Sequence, residues 1–381
     1  MRCDLRHGTW LPANFTHSAA CPRWNGAGHR AACDQAKHPL MTFLPSVSSS
    51  GSTSSCDATL FASGDLRMHF TRALGGRRLR FIGDSLTKDH YTYITRCLLN
   101  CSISQPVRQT LLAPTKRWIQ LLKRAGFDGN VSSEAVTRLQ KHHGDEWYYS
   151  GCDVGTSGHV DFRRLNQFPG SSLTSKHPQL VAAMMHCLVN FRDLIRGTRH
   201  ERALGSSDVI FMNVGLHRDA AMRQRVDDVV SWFEHARQLA HPTPRLLWRD
   251  TSPQHFMAPN GRFRTAQDVL ATTQCRQLPD GNRTTAQHFY GQNVTARVLG
   301  RHGSVLPIFD ATWARADDHP PLRLGAIRVR ASSFNRSFGG RSDCTHYCIT
   351  GSVLRFWTQA LIAWLQESTD DTILDSNGSS D

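Results

Sequence analysis

The sequence predicts an α/β fold built on a mainly parallel, three-layer sheet, and three observations predict it. Short apolar runs of strand length lie near Leu79 to Ile82, Val209 to Met212, Leu246 to Trp248 and Val305 to Phe309. Stretches of helical period fall between them, Gln179 to Ile195 and Val226 to Leu239 being the clearest. The polar motifs follow the strand ends, which is where ligands bind in a doubly wound sheet.

Taken in order, residues 1–70 carry four cysteines (Cys3, Cys21, Cys33, Cys56), little hydrophobic periodicity and a serine-rich run from Ser46 to Ser55. Such a segment is expected to need disulfide staples to hold a structure. Residues 71–366 read as the main domain. Residues 367–381, rich in Ser and Asp, read as a disordered tail.

The domain is organised around Arg77-Arg78-Leu79-Arg80-Phe81-Ile82-Gly83-Asp84-Ser85-Leu86, a strand that ends in a glycine turn carrying a serine. Thr87 to Leu99 lacks Gly and Pro and continues as a helix. A serine in that position is held at the carboxyl end of a strand, with helix N-terminal amides pointing at bound negative charge. This is where an acyl-transfer nucleophile belongs. Gly83 lets the chain bend, and Asp84 can accept from nearby amides.

The partner for Ser85 is Asp343-Cys344-Thr345-His346, just ahead of an amphipathic stretch from Val353 to Leu365. A histidine deprotonates serine when its second ring nitrogen is oriented, and a carboxylate three residues earlier can do that. Ser85, His346 and Asp343 make a triad on this reading. The order, serine first and Asp-x-x-His last, is that of the SGNH or GDSL hydrolases, and the Gly-x-Ser-x-Gly of α/β-hydrolases is absent. His217 and His255 lack an Asp three residues earlier and are read as substrate contacts. Arg249, with Ser252-Pro253, reads as a cleft wall or a site for a carboxylate or phosphate, a structural ion pair being the other use.

Five blocks in one order make the chain resemble the plant-type PC-esterase family, the trichome birefringence-like polysaccharide O-acetyltransferases. They are Cys3-Asp4-Leu5 with Gly8 and Trp10, Phe81 to Leu86 followed by Cys97-Leu98-Leu99, and Asp208 to His217 with its Asn-Val-Gly. Arg249-Asp-Thr-Ser-Pro-Gln-His-Phe256 and Asp343-Cys-Thr-His-Tyr-Cys348 complete the set. Leu86-Thr87-Lys88-Asp89-His90 departs from the family's Leu-x-Arg-Asn-Gln, and Leu216 to Asp219 lacks its Trp-Trp. The resemblance implies an SGNH-like catalytic domain in which Asn213 and Gly215 join the Ser85 amide in an oxyanion hole. It also implies the pairs Cys3–Cys56, Cys21–Cys97, Cys33–Cys348 and Cys275–Cys344, leaving Cys101, Cys152 and Cys187 over. Zinc is the alternative use of Cys344 and Cys348, but no tight Cys-x-x-Cys pair accompanies them.

Eleven cysteines in an α/β enzyme point to an oxidising lumen. Seven of twelve asparagines (Asn14, Asn100, Asn130, Asn282, Asn293, Asn335, Asn377) head glycosylation sequons, where chance gives roughly two. Met1-Arg2-Cys3 leads straight into the cysteine block with no apolar signal region. The resemblance implies a single N-terminal membrane anchor, so the sequence is expected to begin after it. The expected location is the Golgi lumen as a type II membrane glycoprotein, with secretion as the alternative.

The formal charge of +14 favours an acidic partner. No Lys/Arg run exceeds two residues, and neither aromatic interleaving nor zinc-finger spacing is present, so an acidic glycan fits better than nucleic acid. Residues 100–178 mix a basic helix (Pro114 to Ala125), an aromatic loop (Trp147, Tyr148, Tyr149) and glycine-rich turns that could shape an acceptor cleft. The expected activity is transfer of acetyl to hydroxyls of a cell-wall type polysaccharide through acetyl-Ser85, with His346 as base and then acid. No cofactor or metal is expected to stay bound. The acetyl donor, acetyl-CoA or a relayed acetyl group, would come from outside, with a membrane donor protein as a potential partner. A polysaccharide acetylesterase using the same triad, or a non-catalytic glycan-binding protein, remains open.

Overall fold

The computed structural model describes residues 4–13, 40–46, 58–63, 65–101, 148–155, 157–165, 179–180, 204–213, 244–258, 261–262, 274–289, 304–320 and 343–376. The chain opens with strands β1 (Asp4–Pro12) and β2 (Met41–Ser46), which pair antiparallel, and helices α1 (Ala58–Ala62) and α2 (Leu66–Leu74). Next come β3 (Arg78–Gly83), α3 (Ser85–Thr92) with a π-helical turn (Tyr93–Leu98), β4 (Tyr148–Val154), β5 (Gly158–Arg164), β6 (Val209–Asn213) and β7 (Arg245–Arg249). Helix α4 (Arg283–Phe289), β8 (Ser304–Leu306), α5 (Phe309–Trp313) and the long α6 (Ser352–Ser376) complete it.

Six strands form one sheet in the order β4-β5-β3-β6-β7-β8. All neighbours are parallel except β4, which runs antiparallel to β5 at the edge. The four expected strands are present, so the α/β reading holds at this level. Counting only parallel strands, the order reverses at β3, whose neighbours β5 and β6 are joined to it on opposite sides. The crevice beyond the carboxyl ends of β3 and β6 is therefore the topological switch point, the place where such sheets leave room for a ligand.

Residue alternation decides what each face holds. Leu79, Phe81, Val160, Phe162, Val209 and Phe211 point to one side and join a single buried cluster with Phe70 and Leu74 of α2 and Leu354, Trp357 and Leu361 of α6. The Phe81 and Phe211 rings lie 4.7 Å apart. The other side presents Arg78, Arg80, Asp161 and Arg163, all buried, with Asp161 bridging Arg78 and Arg80 at 2.9 and 2.8 Å. Those buried charges interrupt the apolar pattern of β5, which is why its sequence does not announce a strand.

Several expectations are corrected. Tyr148 and Tyr149 are not in a loop but in β4, paired with Arg163 and Phe162; Trp147 lies outside the described residues. Val305 to Phe309 is split, because Pro307 ends β8 and Phe309 starts α5. The amphipathic stretch from Val353 is instead covered on all sides, only Arg355 being partly open up to Leu365. Its helix also runs to Ser376, past the expected boundary at residue 367, with Arg77 donating to the Ser368 hydroxyl at 2.9 Å. The N-terminal segment, for all its weak periodicity, shares the main core: Leu5 and Phe43 belong to the main cluster, and Trp10 lies edge-on to Phe43 and Phe356 while its indole donates to Ala311 O at 2.7 Å.

Cys275 and Cys344 form the expected disulfide. Cys101 and Cys152, expected to be unpaired, are bonded to each other and tie the end of the π-helical turn to β4. Cys97 and Cys348 are also disulfide-bonded; their expected partners Cys21 and Cys33, and the expected Cys3–Cys56 pair, lie outside the described residues, as does Cys187. Of the helix expected over Gln179 to Ile195, only Gln179 and Leu180 are described, both helical. The stretches Pro114 to Ala125 and Val226 to Leu239 lie outside the described residues. No helix among the described residues is long and apolar enough to cross a membrane.

Candidate active site

The nucleophile turn is built locally. Asp84, extended and fully buried, caps α3, its Oδ1 accepting from the Leu86 and Thr87 amides at 3.1 and 3.3 Å. Gly83 sits directly beside Asn213 in the parallel ladder. A Cβ on Gly83 would lie 2.1 Å from Asn213 O and 2.4 Å from Thr87 Oγ1, so only glycine lets β3 approach β6 this closely. Asn213 O then accepts from Asp84 N at 3.3 Å and from the Thr87 hydroxyl at 3.0 Å. These bonds leave Ser85 at the first position of α3, at the switch point and partly exposed.

Residues 343–348 bring His346 to the turn. Asp343 Oδ1 accepts from the Thr345 and His346 amides at 3.0 and 3.2 Å, folding the loop back on itself. Asp343 Oδ2 then accepts from His346 Nδ1 at 2.8 Å, and His346 Nε2 meets Ser85 Oγ at 2.8 Å. Residues 261 apart in sequence are thus joined by a hydrogen bond. The His346 side chain is 32% exposed, open enough for a substrate to reach.

His346 is also electrostatically biased. Burial lowers its affinity for a proton, but the charge and hydrogen bond of Asp343, followed by the charges of Asp89 and Asp84, outweigh this and raise its pKa to about 9. At neutral pH the ring is therefore mostly charged and donates to Ser85 Oγ. Loss of that proton leaves Nε2 free to accept from the hydroxyl.

The remaining expected site residues are placed differently. Asn213 ends β6 next to the nucleophile turn, but its amide nitrogen donates to Arg249 O at 2.7 Å and Thr251 Oγ1 at 3.1 Å. The group assigned to an oxyanion is thus directed at the end of β7. Gly215 and His217 lie outside the described residues.

Arg249 is no surface contact. It is fully buried, its guanidinium 4.1 Å over the Trp357 ring and near Asn213 Oδ1 at 3.4 Å. Burial lowers its pKa to about 10, with Asp84 the largest opposing charge. Arg249 therefore lies beneath the surface, donating to the Asn213 side chain. His255 is likewise fully buried, its ring held between His319 Nε2 at 2.7 Å and Trp313 O at 3.0 Å.

Sequence reasoning misses the frame around His346. Asp318 lies in a short 3-10 turn, Ala316–Asp318. Its carboxylate accepts from Ser352 N and Val353 N at 3.2 and 2.7 Å, capping α6, while its carbonyl accepts from Cys348 N at 2.8 Å. His319 Nδ1 donates to His346 O at 2.7 Å, Gln254 donates to Thr345 Oγ1 at 2.7 Å, and Tyr347 OH donates to Pro253 O at 2.8 Å. The run Asp317-Asp318-His319-Pro320 after an apolar strand is the signal that could have found it. Among the described residues no group of three or more His, Cys, Asp or Glu could hold a metal ion.

Chemically, the arrangement can pass a proton between Ser85 Oγ and an oriented imidazole at a partly open crevice. That is the requirement for nucleophilic acyl transfer. No protein-family model matches the chain, and no curated protein matches it.

Proposed function

We propose that the protein is a serine O-acyltransferase of the SGNH type that carries an acetyl group onto a polysaccharide hydroxyl. The observation that carries this is the continuous chain from Ser85 Oγ to His346 Nε2 and from His346 Nδ1 to Asp343 Oδ2, 2.8 Å at each link. In the first half-reaction Ser85 Oγ attacks the donor's acetyl carbonyl and gives its proton to His346, which passes it to the leaving group. In the second, an acceptor hydroxyl attacks the acetyl-Ser85 carbonyl, His346 takes its proton and returns it to Ser85 Oγ as the ester bond breaks. Asp343 holds the ring in the required tautomer throughout.

The acceptor class rests on the PC-esterase-like motif blocks and on the positive balance of +14, which suits an acidic glycan. The disulfides support an oxidising compartment such as the Golgi lumen. Sugar hydroxyls compete with ~55 M water when held in line with the acyl carbonyl, where effective molarities of 10⁵ M or more become available.

The test is to incubate the purified chain with acetyl donors, alone and with a panel of neutral and acidic glycans. Mass spectrometry should find an acetyl ester on the Ser85 peptide and, with acceptor present, acetylated glycan in excess of free acetate, falling as salt rises. Free acetate dominating with every acceptor would make the protein an esterase. No acyl-Ser85 under any condition would sink the reading.

A further inference from the structure

His255 and His319 pose a proton-counting problem behind the catalytic loop. Both rings are buried. His255 Nε2 faces Trp313 O at 3.0 Å, and His319 Nδ1 faces His346 O at 2.7 Å. A carbonyl oxygen only accepts, so each of these nitrogens carries a hydrogen. A neutral imidazole has one N–H, and in both rings it is already committed. The remaining nitrogens, His255 Nδ1 and His319 Nε2, face each other at 2.7 Å. With both rings neutral, that contact would set two bare lone pairs against each other. A proton between them turns it into a short hydrogen bond.

We infer that His255 and His319 hold one proton between them, three protons on four ring nitrogens, and that His319 is thereby a positioning residue for His346. This rests on the reading of His346 as the base. The Tyr347 ring stacks on His319 at 4.3 Å and 24°, offering its face to the charge. Asp317 favours a proton on His255, and Asp343 favours one on His319. Arg315 belongs to the same segment and is paired with Asp317 and Asp318, while a charged His346 opposes charge on His319. Burial is the largest influence on both rings and works against a full charge on either alone. A second proton is therefore excluded. The first is retained because its loss brings the two lone pairs together.

Two effects on the base follow. The His319 Nδ1–H bond fixes the backbone from which the His346 ring projects. The shared positive charge also makes His346 easier to deprotonate, moving it toward its working form.

The full chain labelled with ¹⁵N-histidine tests the proton without any need for activity. Between pH 6 and 8 we expect one strongly deshielded proton coupled to two histidine nitrogens, absent from the spectra of both His255→Gln and His319→Gln. Unprotonated, pyridine-type signals at both facing nitrogens of the wild type would overturn the inference.

The positioning role is tested with p-nitrophenyl acetate. In His319→Gln an amide can still donate to His346 O but has no proton to share. Turnover should fall about 10- to 100-fold at unchanged KM, and the acidic limb of the pH profile should move to higher pH. An unmoved limb would reduce His319 to ordinary packing and overturn the positioning role. A wild type inert to every acyl donor but showing the shared proton would sink the acyltransferase reading and leave the pair standing.

Discussion

The two halves of the proposed triad, Ser85 and His346, are held in opposite ways. Ser85 is fixed by its neighbours: Asp84 binds the amides of Leu86 and Thr87, and Gly83 lets Asn213 O come within reach of the same turn. His346 is fixed from afar, through Cys275, Gln254, Pro253, Asp318 and His319, each far away in sequence. The Ser85 turn is thus a property of a short sequence, whereas the placing of His346 is a property of the assembled domain. Changes remote from the chemistry should therefore act through His346 more than through Ser85.

The sharpest break removes either end. Ser85→Ala and His346→Ala should each lower turnover on the order of 10⁴-fold or more, and the double variant should be little worse, because the two act as one unit. Steady-state rates with an activated ester check this, and a double variant far below both singles would show that they act separately. Replacing Cys275 and Cys344 together by serine should cost about 2 to 5 kcal/mol of stability and lower turnover at the same time. Denaturant melts set beside rates decide it; full activity in the folded variant would mean that the loop needs no staple.

Between pH 7 and 9 the rate should climb roughly 50-fold, close to tenfold over the first unit and less over the second, because His346 must lose a proton held up to about 9 before it can act as base. The same proton acts on stability with the opposite sign. Its folded pKa is raised above 6.5, so the stabilisation it brings is complete below 6.5 and is lost as pH rises through about 9. A flat rate from pH 7 to 9, or a melting temperature that rises across it, would contradict this.

On the local side, Gly83→Ala should cost about 1 to 3 kcal/mol through its clash with Asn213 O. Thr87→Val, which deletes one hydrogen bond to the same carbonyl, should cost about 1 kcal/mol. Chemical melts of both check the pair. If Thr87→Val exceeded Gly83→Ala, the close approach would not be what shapes the turn.

This contrast also explains what could be read in advance. β3, the glycine turn, α3 and the pairing of Asp343 with His346 follow from residues within a few positions of each other, and all were legible. β6, β7 and the start of β8 were legible as apolar runs. β5 was not, because Asp161 and Arg163 are buried in an ion cluster and look like surface residues in sequence. Arg249 and His255 carry polar groups next to a motif and so read as substrate contacts, yet burial is a tertiary fact that no local pattern discloses. Cys101–Cys152 escaped for the same reason, since the bond depends on β4 lying at the sheet edge.

The all-round burial of α6 between Val353 and Leu365 has a consequence for how the protein folds. Trp10 and Phe43 from the first strands rest on Phe356, and Gln359 donates to Leu60 O and Phe61 O. The helix that completes the core thus packs on segments about 300 residues before it. Closing a core across such sequence separations makes folding slow. His346 lies six residues before that helix. Docking of α6 and the meeting of His346 with Ser85 are therefore coupled, and a chain whose core has not closed leaves Ser85 Oγ without its imidazole neighbour.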